Sequence, residues 1–321
     1  MHRPDSRENV SLIICTYDRK FWIDQLLVSI ASQTIQAREI FIVDASPQEI
    51  DYDIPSGLNV EILKSDKMQL TYQKNMGVDA AHGDFIFFLD DDLLLEDDYI
   101  EETILVFKRD KESIIGAVSG YITNEWGKIS GKPTLLMQFM KVVGIYDGNY
   151  SPGSVSPSGV FTELTSLKPF TGCLNVDFVP GGVTAFRKVV LDKYRPPLEI
   201  TNYGGEDKAL SRMIAAEWCM QICGDARTQH FSASDGARRS FYEQRKSRVL
   251  ITRFIHRIDS SGSKGTFKLR LYFAIIALRL CAISVLMFLS IIKFKRGMTW
   301  FMSAAGTMAG AIWLKEIDAD R

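Results

Sequence analysis

The sequence lacks several features that would point to particular classes of protein. Its formal net charge of −1 at pH 7 excludes a general basic field for nucleic acid. Its five cysteines form no paired framework, which favours a reducing compartment over a disulfide scaffold. The polar segment 1–9 has no apolar core of the kind that a secretory signal peptide needs, and the chain shows no internal repeat. We therefore expect a globular protein that stays in the cytoplasm.

The composition supports a sizeable folded core. Apolar residues make up 46% of the chain and charged residues 24%, as in ordinary globular proteins. A length of 321 residues allows one large α/β domain with an appendage. Cys219 and Cys223 are four positions apart, but no second pair of ligands accompanies them, and this argues against a zinc site.

Segments with strand character and segments with helix character alternate along the first third of the chain. Runs of mostly apolar residues predict strands at 10–15, 39–43 and 85–89, and a third, short strand is predicted at 60–63. Helical spacing of apolar residues predicts helices that contain Ile23, Leu26, Leu27 and Ile30, then Leu70, Gly77, Val78 and Ala81, then Tyr99, Thr103, Ile104 and Phe107. This alternation favours an α/β fold with a mostly parallel sheet and right-handed crossovers.

The middle of the chain is less regular. Residues 119–173 are rich in glycine, proline and serine, which is typical of functional loops. A short strand is predicted at 176–179. Helices are predicted from Lys188 and from the acidic pair Glu206-Asp207.

Three consecutive carboxylates, Asp90, Asp91 and Asp92, follow the apolar run 85–89. Such a group cannot be desolvated without a positive counter-charge. Asp90 and Asp92, one residue apart, suit a divalent metal that carries a phosphate ligand. A solvated acidic loop before a helix is the alternative. The acids at 96–98 are interpreted as the first turn of the next helix, where the helix dipole favours negative charge.

Taken in order along the chain, these motifs resemble those of glycosyltransferase family 2. The matching motifs are Val10-Ser11-Leu12-Ile13-Ile14-Cys15-Thr16-Tyr17, the strand Glu39–Asp44, Asn75-x-Gly77, Gly83-Asp84 with the run to Asp92, Gly181-Gly182, Glu206-Asp207 and His230. The resemblance covers roughly residues 8–235. It implies a GT-A-like, Rossmann-like domain of parallel strands flanked by helices. It also implies inverting transfer of a sugar from a nucleotide-diphosphate donor to an acceptor hydroxyl.

The same resemblance implies roles for individual residues. Asp90, Asp92 and His230 would hold Mn²⁺ or Mg²⁺, which bridges the diphosphate of the donor. Asp207 would be the base that takes the proton of the acceptor hydroxyl, and Glu206 would orient it. The residues that would contact the donor are Thr16, Tyr17, Asp44, Lys74, Asp91, Gly181, Gly182, Arg238 and Arg239.

Most of these residues also have a purely structural interpretation. Asp44 could accept hydrogen bonds from its own turn, and Lys74 could be a solvated helix lysine. Glu206 and Asp207 could be a charge pair at a helix N-terminus, and His230 could be structural. The family often has a second acid directly after the position of Asp44. This chain does not, so the identity of the nucleobase stays open.

The last part of the chain, 236–321, differs in character. A basic stretch precedes two apolar segments, 271–292 and 297–314. They predict a helical, apolar appendage that associates through 271–314 with the inner face of the cell membrane. Whether it spans the bilayer stays open, because the turn between the segments is basic. A buried helical pair that seals a homo-oligomer is the alternative.

Two rival functions match the sequence less well. A sugar-nucleotide pyrophosphorylase usually has a glycine-rich phosphate loop after its first strand, whereas this chain has Cys-Thr-Tyr-Asp-Arg at 15–19. A non-catalytic nucleotide-sugar or glycan-binding membrane scaffold would not need the acids Asp90, Asp92, Glu206 and Asp207. We therefore expect an enzyme with a glycan or lipid-linked acceptor, set by the irregular middle segment, and no nucleic-acid partner.

Overall fold

The computed structural model describes residues 8–125, 151–155, 161–162, 167–200 and 205–231, and the isolated positions 138, 164, 274–275 and 278. The elements of the first half are β1 Glu8–Thr16, α1 Lys20–Ala31, β2 Ala37–Asp44, β3 Val60–Lys64, α2 Leu70–Ala80, β4 Phe85–Asp90, β5 Leu93–Leu95 and α3 Tyr99–Arg109. The later elements are β6 Ile115–Ile122, β7 Cys173–Val176, β8 Val183–Arg187, α4 Lys188–Lys193, α5 Glu206–Ile214 and β9 Cys219–His230.

The nine strands of the described residues form one sheet with a parallel half and a mixed half. Eight of them run in the order β3-β2-β1-β4-β8-β6-β9-β5, and β7 pairs with β9. Neighbours among β3, β2, β1 and β4 are parallel, as the alternation of strands and helices predicts. In the other half, β8 is antiparallel to both β4 and β6, whereas β6 and β9 are parallel. The sheet is therefore mixed, and the prediction of a mostly parallel sheet with flanking helices is confirmed in part.

Apolar side chains cover both faces of the sheet. Along β1, Leu12 and Ile14 lie on one face and Ile13 on the other, because successive strand residues alternate. Phe87 and Phe88 repeat this alternation on β4. Helices α1 and α3 pack on the first face, and α2, α4 and α5 pack on the second. The predicted strands at 10–15, 39–43 and 85–89 are thus largely buried from both sides, whereas β3, at the edge of the sheet, is partly exposed.

Two predicted boundaries are wrong. β7 occupies Cys173–Val176, ahead of the strand predicted at 176–179. The acids at 96–98 precede α3, which begins at Tyr99, and so they are not its first turn. The N–H of Glu96 instead donates to the carbonyl of Arg227 at 3.0 Å, because the chain leaves β5 alongside β9 before it turns into the helix.

The folded chain divides into two compact units. The sheet and its helices belong to a unit made of Met1–Ser130, Glu163–Asn202 and Glu206–Gly236. The second unit is made of Gly131–Thr162, Tyr203–Gly205 and Ala237–Arg321. Within the second unit, Val155 and Phe161 form an antiparallel bridge.

The predicted C-terminal appendage lies outside the described residues, apart from 274–275 and 278, and it stays a prediction. The same holds for donor contacts by Arg238 and Arg239. In the part of the chain that the structure describes, no helix combines the length and the apolar character that a membrane crossing requires.

Gly77 gives a test of the packing between α2 and β1. A Cβ on Gly77 would lie 2.4 Å from Cγ2 of Ile13, which is buried in the core. We expect Gly77→Ala to lower the thermal midpoint of the full chain, because overpacking costs about 1–3 kcal/mol and outweighs the helix propensity of alanine, worth about 1 kcal/mol.

The control is the same change in an Ile13→Ala background. There the colliding atoms are gone, so Gly77→Ala should raise the midpoint. A higher midpoint for Gly77→Ala in the unaltered background would contradict the packing described.

Candidate active site

The carboxyl ends of three parallel strands meet at one edge of the sheet. Thr16 of β1 lies opposite Asp44 of β2, and Cys15 of β1 lies opposite Asp90 of β4. The chain passes from β1 to β2 on one side, whereas β4, on the other side of β1, follows β3 and α2. Such a switch point is where open α/β sheets bind ligands. The fold thus brings together residues that the sequence predicts for one site.

Asp90, Asp92 and His230 form a cluster that could hold a metal ion. One ligand atom from each residue lies within 4.8 Å of those of the other two. His230 reaches this position because it pairs with Leu93 across the antiparallel ladder of β5 and β9. Carboxylate oxygens suit Mg²⁺ and Mn²⁺, and the imidazole favours the transition metal of the two.

His230 is held from both ring nitrogens. Its Nε2 lies 3.1 Å from Asp92 Oδ1, and its Nδ1 lies 3.0 Å from Glu125 Oε1. Burial lowers the pKa of His230, but hydrogen bonds to Asp92 and Glu125 and the charge of Asp90 outweigh burial and raise the pKa to about 10. Binding of a metal to this ring would therefore displace a proton.

The middle aspartate of the motif is held by the protein itself. Asp91 Oδ2 accepts a hydrogen bond from the Thr16 hydroxyl at 2.8 Å, and Asp91 Oδ1 accepts one from Arg19 at 2.7 Å. Arg19 also lies 3.5 Å from Asp92 Oδ2. Asp91 and Thr16 thus contact each other, while Tyr17 is 39% exposed at the same turn. Donor contacts by these three residues stay predictions.

Asp44 accepts hydrogen bonds from its own turn, as the purely structural interpretation of this residue expects. It is 1% exposed, and its Oδ1 accepts hydrogen bonds from the backbone N–H of Ser46, at 2.7 Å, and from the Ser46 hydroxyl. Its Oδ2 lies 3.8 Å from Lys64 Nζ. The carboxylate therefore stabilises its own turn, and a contact with a nucleobase stays a prediction.

Lys74 is buried, so the interpretation as a solvated helix lysine is wrong. Its Nζ donates to Glu206 Oε1 at 2.9 Å and to the Gly181 carbonyl at 3.0 Å. Burial lowers the pKa of Lys74, but the negative charges of Glu206 and Asp90 outweigh burial and raise the pKa above its usual range. Lys74 is thus a fixed cation that links α2 to the start of α5.

Gly181 and Gly182 allow two groups of acids to approach each other. A Cβ on Gly182 would lie 1.9 Å from Cγ of Asp90. A Cβ on Gly181 would lie 3.0 Å from Cβ of Asp207 and 3.0 Å from Oε1 of Glu206. Only glycine fits this close approach of backbone and side chains. Asp90 and Asp207 therefore lie against adjacent residues and belong to one site.

Asp207 lines a small pocket together with Lys74, Phe88 and Glu206. Burial raises the pKa of Asp207, and the negative charge of Glu206 adds to this effect. Lys208 and Lys74 oppose it, and the resulting pKa is about 6. A carboxyl group with this pKa is ionised at neutral pH and basic enough to accept a proton.

Three residues that the sequence analysis missed support the site. Arg19 pairs with Asp91, Glu125 pairs with His230, and Asn124 exchanges two hydrogen bonds, of 2.9 and 3.0 Å, with the backbone of His230. Asn124 and Glu125 lie two and three residues after the end of β6, whose strand character was not predicted. No local pattern marks them, because each acts on a residue that is distant in sequence.

A solved structure shows the class of fold. The chain is similar to the mannosyltransferase PcManGT from Pyrobaculum calidifontis, solved in complex with GDP-Man and Mn²⁺, over 97% of this chain and 88% of that one. The TM-score is 0.50 and the sequence identity 16%. At this identity the likeness concerns the fold alone, which is that of a GT-A-like glycosyltransferase.

The sequence match then defines the family. The family described as "Glycosyl transferase family 2" matches residues 11–195, more than half of the 321 residues. The chain therefore belongs to glycosyltransferase family 2, as the motif order predicts.

Two relatives match over shorter stretches. The Bacillus subtilis (strain 168) protein EpsH, whose name describes it as a glycosyltransferase, is 32% identical over 100 residues, which are 30% of this chain and 29% of EpsH. The glucosyl-dolichyl phosphate glucuronosyltransferase of Haloferax volcanii is 24% identical over 131 residues, which are 39% of this chain and 41% of the relative. The match thus spans less than half the length of either relative.

The buried pair of Lys74 and Glu206 yields a second prediction. The two side chains are 4% and 9% exposed. Lys74→Met should destabilise the protein by about 3–5 kcal/mol, because it leaves Glu206 buried without its cation. Adding Glu206→Leu should recover most of this loss, as measured by thermal unfolding of the full chain.

The matched control is Lys20→Met on α1, where Lys20 is 42% exposed and pairs with Asp24. Exposed pairs contribute at most about 1 kcal/mol, so the midpoint should change little. If Lys74→Met behaved like Lys20→Met, or if the double variant were the least stable, the pair would not have the role described.

Proposed function

We propose that the protein is a metal-dependent, inverting glycosyltransferase that moves a sugar from a nucleotide-diphosphate donor to an acceptor hydroxyl. The observation that carries the proposal is the position of Asp90 and Asp207 against the adjacent Gly182 and Gly181. One carboxylate belongs to a cluster that suits a cation, and the other has the pKa of a base. Inverting transfer needs one group at the departing diphosphate and another at the attacking hydroxyl.

At the donor end, Asp90, Asp92 and His230 would hold Mn²⁺ or Mg²⁺. Their oxygen and nitrogen atoms are close enough for one ion, and the crowding of Asp90 with Asp92 and Glu206 favours a cation there. When bound, the ion would neutralise negative charge that develops on the departing diphosphate. Arg19 and Lys74 fix the neighbouring carboxylates, so that the cluster is arranged before the donor binds.

At the acceptor end, Asp207 takes the proton of the attacking hydroxyl. The acceptor oxygen forms a bond to the anomeric carbon as the bond to the diphosphate breaks, and the bonding electrons leave with the diphosphate. Glu206, tied to Lys74, keeps its negative charge beside Asp207 and raises the pKa of Asp207. Glu206 is thus a positioning residue, and Asp207 is the base.

The acceptor is proposed to be a glycan or a lipid-linked sugar at the cytoplasmic face of the cell membrane. Two observations support this. The Haloferax volcanii relative has a dolichyl phosphate in its name. The apolar segments between 271 and 314 suit a membrane surface.

Asp207→Asn gives the third prediction. The variant should lose at least about 100-fold in kcat, in line with the usual contribution of a general base, while donor binding measured by thermal shift is retained. In the unaltered enzyme, kcat/KM should fall as the pH drops below about 6, because Asp207 is then protonated.

Asp192→Asn, an exposed acid on α4, is the control and should keep full activity. Equal loss of donor binding and of turnover in Asp207→Asn would remove Asp207 from the role of base. So would a kcat/KM that stays constant down to pH 5.

The fourth prediction separates the proposed enzyme from its rivals. Hydrolysis of UDP-, GDP- or dTDP-sugars without acceptor should depend on added Mn²⁺ or Mg²⁺ and fall at least about tenfold in Asp92→Asn. Asp97→Asn, an exposed acid nearby, should change nothing. A binding scaffold would release no sugar from any donor. Formation of a nucleoside triphosphate on addition of pyrophosphate would support a pyrophosphorylase instead.

A further inference from the structure

A second cluster of metal-ligating side chains lies away from the proposed active site and shares no residue with it. It begins with Cys173 of β7 and Cys223 of β9, which are directly opposite each other in an antiparallel ladder. Their side chains are close enough to interact, and both cysteines are free of disulfides. The sequence places them 50 positions apart, so no spacing motif connects them.

A bulge in β9 shapes the surroundings of Cys223. Gly120 of β6 pairs with Cys223, but the next residue of β6 pairs with Arg227, so three residues of β9 are left without a partner there. The backbone N–H groups of two of the three, Asp225 and Ala226, lie near the sulfur of Cys223. N–H groups beside a sulfur favour the thiolate, which is the form that binds a metal.

The bulge also fixes a carboxylate beside the sulfur. The N–H of Gly172, just before β7, donates to Asp225 Oδ2 at 2.7 Å, and the N–H of Gly224 donates back to the Gly172 carbonyl at 2.8 Å. The turn before β7 and the bulge of β9 are thus locked together. Asp225 is held in place by one oxygen, and its other oxygen carries no hydrogen bond among those formed by the described residues.

Glu102, in the first turn of α3, supplies a second carboxylate. Ligand atoms of Glu102, Cys223 and Asp225 all lie within 4.8 Å of one another. Glu102 and Asp225 repel each other, and Arg109 is a positively charged neighbour of both Glu102 and Cys173. Three ligand atoms therefore already lie together. The thiol of Cys173 lies outside this group of three, on the residue opposite Cys223, and a rotation of its side chain would bring it to a bound ion.

The chemistry of these ligands differs from that of the proposed active site. Thiolate sulfur is a soft ligand that selects Zn²⁺ over Mg²⁺ or Mn²⁺, and carboxylate oxygens complete many tetrahedral zinc sites. With the Cys173 side chain turned towards the ion, two sulfur and two oxygen atoms would make a full set of four, with no position left open for substrate. Such a closed set is typical of a structural site rather than a catalytic one.

We propose that Cys173, Cys223, Asp225 and Glu102 form a structural Zn²⁺ site that fastens β7 and α3 to β9. The ion would relieve the repulsion between the two carboxylates and hold the short edge strand β7 against the sheet. The proposal is independent of the glycosyltransferase reaction, because none of its residues belongs to the donor or acceptor groups.

The test uses the full chain, purified under reducing conditions and freed of metal. Titration with Co²⁺ should produce a sulfur-to-cobalt charge-transfer absorption with a stoichiometry of one, and Zn²⁺ should then displace it. Co²⁺ at the carboxylate cluster of the proposed active site produces no such band, because that site contains no sulfur. The signal therefore reports the thiol site alone.

Cys223→Ser and Cys173→Ser should each reduce the charge-transfer band by about half or more, because one of the two sulfur ligands is lost, and weaken Zn²⁺ binding at least about tenfold. Cys219→Ser is the matched control, since Cys219 is an exposed cysteine on the same strand outside the cluster, and it should leave the band unchanged. Cys173 is exposed on an edge strand, so its variant should fold even if Cys223→Ser does not. Asp225→Asn should retain the band with weaker binding.

Three results would overturn the proposal. The first is absence of the band in the folded, reduced protein. The second is a band that Cys219→Ser removes as fully as Cys223→Ser does. The third is a disulfide between Cys173 and Cys223, found by mass spectrometry in protein prepared without oxygen.

Discussion

Negative charge gathered at one edge of the sheet is the constraint on which this structure depends. Asp90 ends β4 and is followed by Asp91 and Asp92, and Glu206 and Asp207 begin α5 beside Asp90. Carboxylates that lose water in this way are costly unless cations face them. The protein supplies three of these cations, and each pairs with a different acid: Arg19 with Asp91, Lys74 with Glu206, and His230 with Asp92.

The backbone makes this arrangement possible as much as the side chains do. Gly181 and Gly182 precede β8, which is antiparallel to β4, so their backbone passes directly across the carboxylate of Asp90. Because neither glycine has a side chain, Asp90 fits against Gly182 and Asp207 fits against Gly181. The mixed half of the sheet therefore has a functional consequence, because a parallel strand in this place would not bring such a turn to the end of β4.

The sequence predicts the parts of this arrangement that depend on local pattern. Strands β1, β2 and β4 are marked by runs of mostly apolar residues, and the acids Asp44 and Asp90 are marked by their position after such runs. β8 and β9 were not predicted. β9 contains polar residues such as Gln221 and Arg227 among its apolar ones, and β8 consists of five residues directly before a helix. Neither gives a clear periodic signal.

Pairings between remote residues could not be predicted either. Arg19 and Asp91 are 72 positions apart, and Glu125 and His230 are 105 apart. Their contact follows from the order of strands in the sheet, which a list of strands and helices does not specify. The pairing of Cys173 with Cys223 could not be predicted for the same reason. The sequence shows only the short spacing of Cys219 and Cys223, whereas the β7–β9 ladder places Cys173 opposite Cys223.

Strand β9 contributes a residue to each of the two candidate metal sites. Its first half pairs with β7 and β6 and carries Cys223, and its last residues pair with β5 and carry His230. The bulge between the halves lets one strand keep partners on both sides while Asp225 turns out of the ladder. The position of the His230 imidazole beside Asp92 depends on how firmly the earlier residues of β9 are held. An ion at Cys223 would provide that fixation where β7, with four residues, provides little by hydrogen bonds alone.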